Sequence, residues 1–174
     1  MIWITESLSA LREFFEAGGP VLYGVFGITI LMWTLIIERL WYFRFVHPSE
    51  MRRVQSLWDA RADTSSWNAK RIREQLISQV SVSANRFVPL IRMCVSVAPL
   101  FGLLGTVTGM IQVFDIMAAL GTGNPRAMAS GVSAATIPTM SGMVAALSGI
   151  YFAGSMEKKV RNEVERAEDL LRQH

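Results

Sequence analysis

The sequence predicts an all-α membrane protein with three transmembrane helices, and two observations carry this prediction. The chain has 174 residues, 51% of them hydrophobic, and a positive mean hydropathy. A soluble domain of this length needs fewer apolar residues than that. In addition, three stretches contain no Asp, Glu, Lys or Arg, namely 17–37, 93–114 and 127–156. Each of them exceeds the roughly 20 residues with which a helix crosses the hydrocarbon core.

Residues 1–17 are predicted to form a short amphipathic helix on the outer face of the membrane. Acidic and basic residues alternate there with apolar residues at helical spacing: Ile4, Leu8, Leu11 and Phe15. Gly18, Gly19 and Pro20 then interrupt the chain, and Pro20 suits the first turn of the next helix. The segment has no basic leader and the apolar run is too long for a signal peptide, so we expect it to stay in the mature protein.

The first transmembrane helix is predicted over 18–43, and a small cytoplasmic helical domain over 44–90. The helix ends in aromatic and basic residues, which is typical of a membrane interface, and its low polarity indicates that it faces lipid. A break is expected at His47 to Ser49, and a separation between two helices near Asp63 to Ser66. The domain is too small for an independent catalytic core.

The second and third transmembrane helices are predicted over 91–118 and 128–156, joined by an outer loop at 119–127. Small residues recur on their faces and indicate close helix packing: Gly102, Gly105, Gly109, Gly142, Ala146 and Gly149. We therefore expect these two helices to line an interior that the first helix shields.

Residues 157–174 are predicted to continue the third helix as a cytoplasmic helical tail. Apolar residues recur there among charged ones: Val160, Val164, Ala167 and Leu171. Their spacing of three and four indicates packing against neighbouring copies of the chain. The long helices are thus expected to extend beyond the membrane into the cytoplasm.

The distribution of basic residues predicts the orientation. Of 17 Lys and Arg, ten lie between the first and second spans and five follow the third. The positive-inside rule then places the N-terminus outside, in the periplasm, and both the middle segment and the C-terminus in the cytoplasm. The net charge of +3 is explained by topology, so no nucleic-acid partner is expected.

Several kinds of site are not expected. Cys94 is the only cysteine and His47 and His174 are the only histidines, which argues against a disulfide framework, a metal site or a haem cofactor. Cys94 is expected to be an inert buried thiol. Serines occur in the third span, but no His, Lys or Asp accompanies them to activate a nucleophile. We therefore do not expect an enzyme.

Two segments, APLFGLLGTVTGMIQVF at 98–114 and GVSAATIPTMSGMVAAL at 131–147, resemble the MotA/TolQ/ExbB proton-channel family. The whole chain is most similar to a short ExbB of the TonB energy-transducing system. The resemblance implies a homopentamer in the bacterial inner membrane, whose second and third helices line a pore. It also implies a dimer of a one-span, ExbD-like partner in that pore, with a transmembrane aspartate that carries protons, and a TonB-like energy transducer.

The residues support a partner independently, because neither helix has an Asp, Glu, His, Lys or Arg within its apolar stretch. A proton relay at membrane depth needs such a group, so another chain has to supply it. Asp115 and Arg126 flank the outer ends of the two helices. They are expected either to steer cations at the mouth of the pore or to be ordinary interface residues.

The resemblance also assigns roles to residues. Thr106 and Thr139 match the two threonines that the family places beside the partner's aspartate, where a hydroxyl can donate or accept a hydrogen bond without titrating. The alternative is a structural bond from each threonine to a carbonyl one turn back. Ala134 stands where ExbB and TolQ members generally carry a glutamate, so a mechanism that requires that carboxylate is in doubt.

Pro138 is a second departure from the family pattern. Proline has no N–H, so it frees the carbonyl of Ala134 one turn earlier. We hypothesise that this carbonyl, with Ser133 and Thr136, supplies the polar site that the missing glutamate would have offered. The alternative is that Pro138 makes a packing kink.

The sequence therefore predicts the scaffold subunit of a motor driven by the proton-motive force, which energises TonB-dependent transport across the outer membrane. Two alternatives stay open: a TolQ-like subunit that serves envelope integrity, and a structural membrane scaffold that does not conduct protons. A neighbouring gene for a one-span protein with a transmembrane aspartate would favour a motor over the passive scaffold.

Overall fold

The computed structural model describes residues 2–60, 66–121 and 125–171, and every element within these ranges is helical. The elements are α1 (Ile2–Trp41), a π-helical turn (Tyr42–Val46), α2 (His47–Asp59), α3 (Trp67–Asn85), α4 (Val88–Leu120) and α5 (Pro125–Leu170). Three helical stretches contain a window long and apolar enough to cross a membrane: Ser9–Asp59, Trp67–Ala119 and Met128–Leu170. The prediction of an all-α protein with three such helices is confirmed.

Some expectations fall on parts of the chain outside the described residues. They concern the side chains of Ile4 and Leu8 in the N-terminal amphipathic helix, most of the separation expected near Asp63 to Ser66, and residues 122–124 of the outer loop. What the structure does give is the end of α2 at Asp59 and the start of α3 at Trp67.

A kink at Gly19 divides α1. Gly19 has φ 68° and ψ −172°, a backbone conformation that only glycine adopts readily, and Pro20 follows it. Because Pro20 has no N–H to donate, the chain loses a helical hydrogen bond at the same point. The kink therefore lies within the Gly-Gly-Pro sequence where an interruption was expected.

The break expected at His47 to Ser49 is wrong. The π-helical turn Tyr42–Val46 leads directly into α2, and Val46 and His47 both have helical backbone angles. Pro48 lies in the first turn of α2, where its missing N–H costs little because the first amides of a helix have no partner in the helix.

The helices form two compact units, and the first comprises Met1–Trp33 and Met93–Ile150. In it, α1 packs on the other two helices at several points. Ile28 lies against a buried cluster of Ala98, Ala145 and Ala146, and Met32 is completely buried. This unit contains the small-residue helix faces.

The second unit comprises Thr34–Arg92 and Tyr151–His174. Its core is formed by α2, α3 and the end of α5, and the buried residues are Val54, Trp58, Ala69, Leu76, Val80, Ala167 and Leu171. Ser66 caps α3 by accepting a hydrogen bond from the backbone N–H of Ala69.

This core corrects the prediction for the C-terminal stripe. Ala167 and Leu171 are buried in the core of their own chain, and Val160 is buried as well. Most of the stripe that was expected to contact neighbouring copies therefore stabilises the protomer itself. The spacing identified a buried face correctly but not the partner that buries it.

Candidate functional site

Small residues bring the backbones of α4 and α5 into contact in the first unit. A Cβ atom added to Gly109 would lie 2.5 Å from the backbone N and Cα of Ala135. One added to Gly142 would lie 2.6 Å from the carbonyl oxygen of Ala98. Real Cβ atoms essentially never approach below 3.0 Å, so a larger residue at either position would separate the helices.

The same contact extends along both helices. Gly102 faces Thr139, where an added Cβ would lie 2.9 Å from the threonine Cα, and Gly131 faces Val113. Successively later residues of α4 meet successively earlier residues of α5, so the two helices pack antiparallel. A row of glycine and alanine thus sets the distance between them.

Pro138 packs directly into this contact. Its side chain is among the fully buried ones, and a Cβ added to Gly105 would lie 2.5 Å from its Cβ and 2.9 Å from its Cγ. The proline ring thus fills the space that Gly105 leaves open. The packing interpretation of Pro138 has a visible contact, whereas a polar role for the Ala134 carbonyl stays a hypothesis.

Thr139 joins the two helices by a hydrogen bond. Its Oγ1 lies 2.8 Å from the carbonyl oxygen of Gly102 and 3.3 Å from that of Ala135 in the preceding turn. A hydroxyl has one proton, and the shorter distance favours donation to Gly102. Thr139 therefore contributes to packing within one protomer.

Thr106 and Thr136 donate only within their own helices. The Thr106 Oγ1 lies 2.7 Å from the Leu103 carbonyl oxygen, and the Thr136 Oγ1 lies 3.1 Å from that of Val132. Such bonds leave the lone pairs of the hydroxyl free and break when the side chain rotates. Thr106 is half-buried, whereas Thr136 and the neighbouring Ser133 are exposed.

The remaining predicted packing residues contact α1 or lie near it. A Cβ added to Gly149 would lie 2.4 Å from the Met32 sulfur and 2.5 Å from Val95 Cγ2. Ala146 belongs to the buried cluster against which Ile28 packs. The glycines of α5 therefore serve two contacts, one with α4 and one with α1.

Acidic and basic side chains flank this site rather than enter it. Asp115 and Arg126 are both exposed, and Cys94 is buried. Among the described residues, no group of three or more His, Cys, Asp or Glu is placed to hold a metal ion. The chemistry available between α4 and α5 is thus that of hydroxyl groups and backbone carbonyls.

A family model described as the MotA/TolQ/ExbB proton channel family matches residues 46–169, which is more than half of the chain. The chain belongs to this family. The matched range contains both α4 and the greater part of α5, and with them the whole small-residue contact.

Two relatives of the MotA/TolQ/ExbB family from Synechocystis sp. are similar to the chain. One is described as biopolymer transport protein ExbB-like 3 and is 24% identical over 79% of this chain and 80% of its own length. The other, described as ExbB-like 1, is 26% identical over 84% of this chain and 70% of its own. No solved structure matches the chain.

For this family member, three residues of the contact were not identified from the sequence: Ala98 and Ala135, which oppose Gly142 and Gly109, and Gly131, which opposes Val113. The antiparallel arrangement of two small-residue rows was the available signal, but the relative shift of the rows was unknown. Ala134, where a glutamate was expected, is half-buried next to Ala135.

Proposed function

We propose that this chain is the scaffold subunit of an ExbB-like motor of the bacterial inner membrane, driven by the proton-motive force. With an ExbD-like partner, it energises TonB-dependent transport across the outer membrane. Membership of the proton channel family supports this proposal, as do two relatives described as biopolymer transport proteins. The observation that carries it is the α4–α5 contact, which combines hydroxyl groups with a lack of Asp, Glu, His, Lys and Arg in the apolar stretches.

In the proposed assembly, five copies surround a pore that holds a dimer of the one-span partner. Exposed apolar side chains on α4 and α5 support this arrangement because they are available to contact other helices; they include Leu103, Val107, Met110, Met143 and Leu147. The proton-carrying carboxylate has to come from the partner, because a proton relay at membrane depth needs a titratable group and the apolar stretches of α4 and α5 contain no Asp or Glu.

Thr106 and Thr139 contribute differently in this proposal. Thr106 bonds only to Leu103 in its own helix, so a rotation lets its hydroxyl contact the partner's carboxylate. Thr139 bonds to Gly102 across the helix contact. We therefore assign Thr106 to the proton path, and Thr139 to both the path and the helix contact.

The test is growth on a nutrient that requires TonB-dependent uptake, such as scarce iron, in cells whose only scaffold subunit is this chain. Thr106→Val is expected to abolish growth at a normal membrane level, because valine keeps the shape and removes the hydroxyl. Thr106→Ser is expected to keep growth. Thr108→Val is the matched control, since Thr108 also bonds carbonyls of its own helix, those of Leu104 and Gly105.

Thr139→Val is expected to lower both growth and thermal stability. The loss of one neutral hydrogen bond costs about 1 kcal/mol, which lowers the unfolding temperature by about 3 °C for a chain of this size. Unimpaired growth in both the Thr106 and Thr139 variants would assign these threonines to structure alone. If the unmutated chain failed to support growth, the TolQ-like or passive interpretation would replace the TonB-linked one.

A further inference from the structure

An exposed surface follows the last turns of α1 in the second unit. Two rows with four-residue spacing are exposed at every position: 37, 41, 45, 49 and 40, 44, 48, 52. The row formed by Arg39, Phe43 and His47 is buried instead. We call the exposed rows the Trp41 patch, after the residue whose side chain is 65% exposed at its centre.

The side chains of the Trp41 patch change character along the chain. Ile37 and Leu40 come first and are apolar, and Trp41 and Phe45 follow with ring centroids 5.9 Å apart. Arg44 and Arg52 provide positive charge beside and beyond the aromatic pair. The same order, from apolar to aromatic to basic, is found where a transmembrane helix leaves the hydrocarbon core.

The acidic residues near the patch do not neutralise its arginines. Both Glu38 oxygens accept hydrogen bonds from Arg39, at 2.6 and 2.8 Å. Glu50 accepts a hydrogen bond from the Tyr42 hydroxyl. Among the described residues, no acidic side chain forms an ion pair with Arg44, Arg52 or Arg53. The patch therefore presents uncompensated positive charge.

We propose that the Trp41 patch binds the headgroup and upper acyl chain of an anionic phospholipid. Trp41 and Phe45 contact the acyl chain, and Arg44 and Arg52 bind the phosphate. A lipid fits better than an acidic protein segment, because the surface continues an apolar membrane span and has an aromatic pair before its charges. Attraction of basic side chains to anionic leaflets supplies the selectivity. This inference does not depend on the motor function or on its partners.

The test uses the purified full chain in mild detergent, titrated with phosphatidylglycerol or phosphatidylcholine, with bound lipids counted by native mass spectrometry. The unmutated chain is expected to prefer phosphatidylglycerol. Arg44→Gln with Arg52→Gln is expected to lower that affinity about 25-fold, from about fivefold for each basic residue. Lys70→Gln with Lys158→Gln is the matched control, because it removes the same charge from exposed positions of the same unit.

Further variants separate charge, lipid and folding. Arg44→Lys with Arg52→Lys is expected to keep the preference, which distinguishes lost charge from a misfolded variant. Trp41→Ser with Phe45→Ser is expected to weaken the binding of both lipids equally. The proposal is overturned if the unmutated chain shows no preference for phosphatidylglycerol over phosphatidylcholine. It is also overturned if the Lys70→Gln, Lys158→Gln control loses as much affinity as the arginine variant, or if glycerol 3-phosphate alone competes as well as the lipid.

Discussion

Gly131 and Gly109 both lie in the α4–α5 contact, but an added methyl group would meet different atoms at each. At Gly131 it would meet a side-chain atom, Val113 Cγ2 at 2.4 Å, whereas at Gly109 it would meet the backbone of Ala135. Valine in a helix has one strongly preferred rotamer, so Val113 cannot rotate away cheaply. Either substitution therefore forces the helices apart, yet only the clash at Gly131 can be relieved by a second substitution.

We predict that Gly131→Ala destabilises the chain by about 1–3 kcal/mol, the usual cost of overpacking. Adding Val113→Ala is expected to recover most of that loss, because the nearest remaining atoms, the Val113 N and Cα, lie 3.4 and 3.5 Å away. Thermal unfolding of the four chains in a double-mutant cycle measures the recovery. Gly109→Ala with the same Val113→Ala change is the control, and strictly additive effects in both cycles would contradict this account of the contact.

At the scale of helices, composition predicted where helices exist better than where they bend. The charge-free stretches predicted three long apolar helices because few other structures satisfy the backbone in a membrane. Pro48 indicated a break, but the first turn of α2 tolerates it, and the preceding π-helical turn keeps the chain helical. A proline can therefore mark a helix start as well as a helix end, and the sequence around His47 did not distinguish them.

The end of α5 depends on a side chain from another helix. Arg73 of α3 donates from Nε to the Leu171 carbonyl oxygen at 2.7 Å and from Nη2 to that of Glu168 at 2.9 Å. The last carbonyls of a helix have no partner within it, and a positive charge there also interacts favourably with the helix dipole. Arg73 therefore caps the C-terminal end of α5 and holds it against α3.

We predict that Arg73→Met loosens this end by about 1 kcal/mol, below the usual range for charged hydrogen bonds because Arg73 is only half-buried. Methionine keeps the length of the side chain and removes the donors. Hydrogen exchange is expected to accelerate about fivefold for amides near 164–171, with no change in α4. Lys70→Met removes a positive charge from the same helix without this contact, so an equal effect there would assign the change to charge alone.

For the whole molecule, the sequence predicted which helix faces are packed but not what packs them. The spacing of Gly102, Gly105 and Gly109 defines a face, yet their opposing residues depend on the relative shift of α4 and α5, which periodicity does not contain. The prediction that the C-terminal stripe contacts neighbouring copies was wrong for the same reason, since α2 and α3 bury Ala167 and Leu171. Arg39 lies among the aromatic and basic residues that end the first apolar stretch, yet only 2% of it is exposed and its guanidinium lies 4.5 Å from the Tyr42 ring centroid.

The distribution of charge also makes a prediction for the whole molecule, its orientation in the membrane. Ten of the 17 basic residues lie between the first two apolar stretches, so that segment is expected in the cytoplasm and the end of α4 on the opposite side.

Two exposed positions can test on which side each segment lies, Gln55 in α2 and Ala119 in α4. In a Cys94→Ala background, each is changed to cysteine and exposed to a membrane-impermeant maleimide in intact spheroplasts. Ala119→Cys is expected to react there, and Gln55→Cys only after permeabilisation, when both sites have to react as a control. Reaction of Gln55→Cys in intact spheroplasts would contradict this orientation and place the segment between the first two apolar stretches outside the cytoplasm.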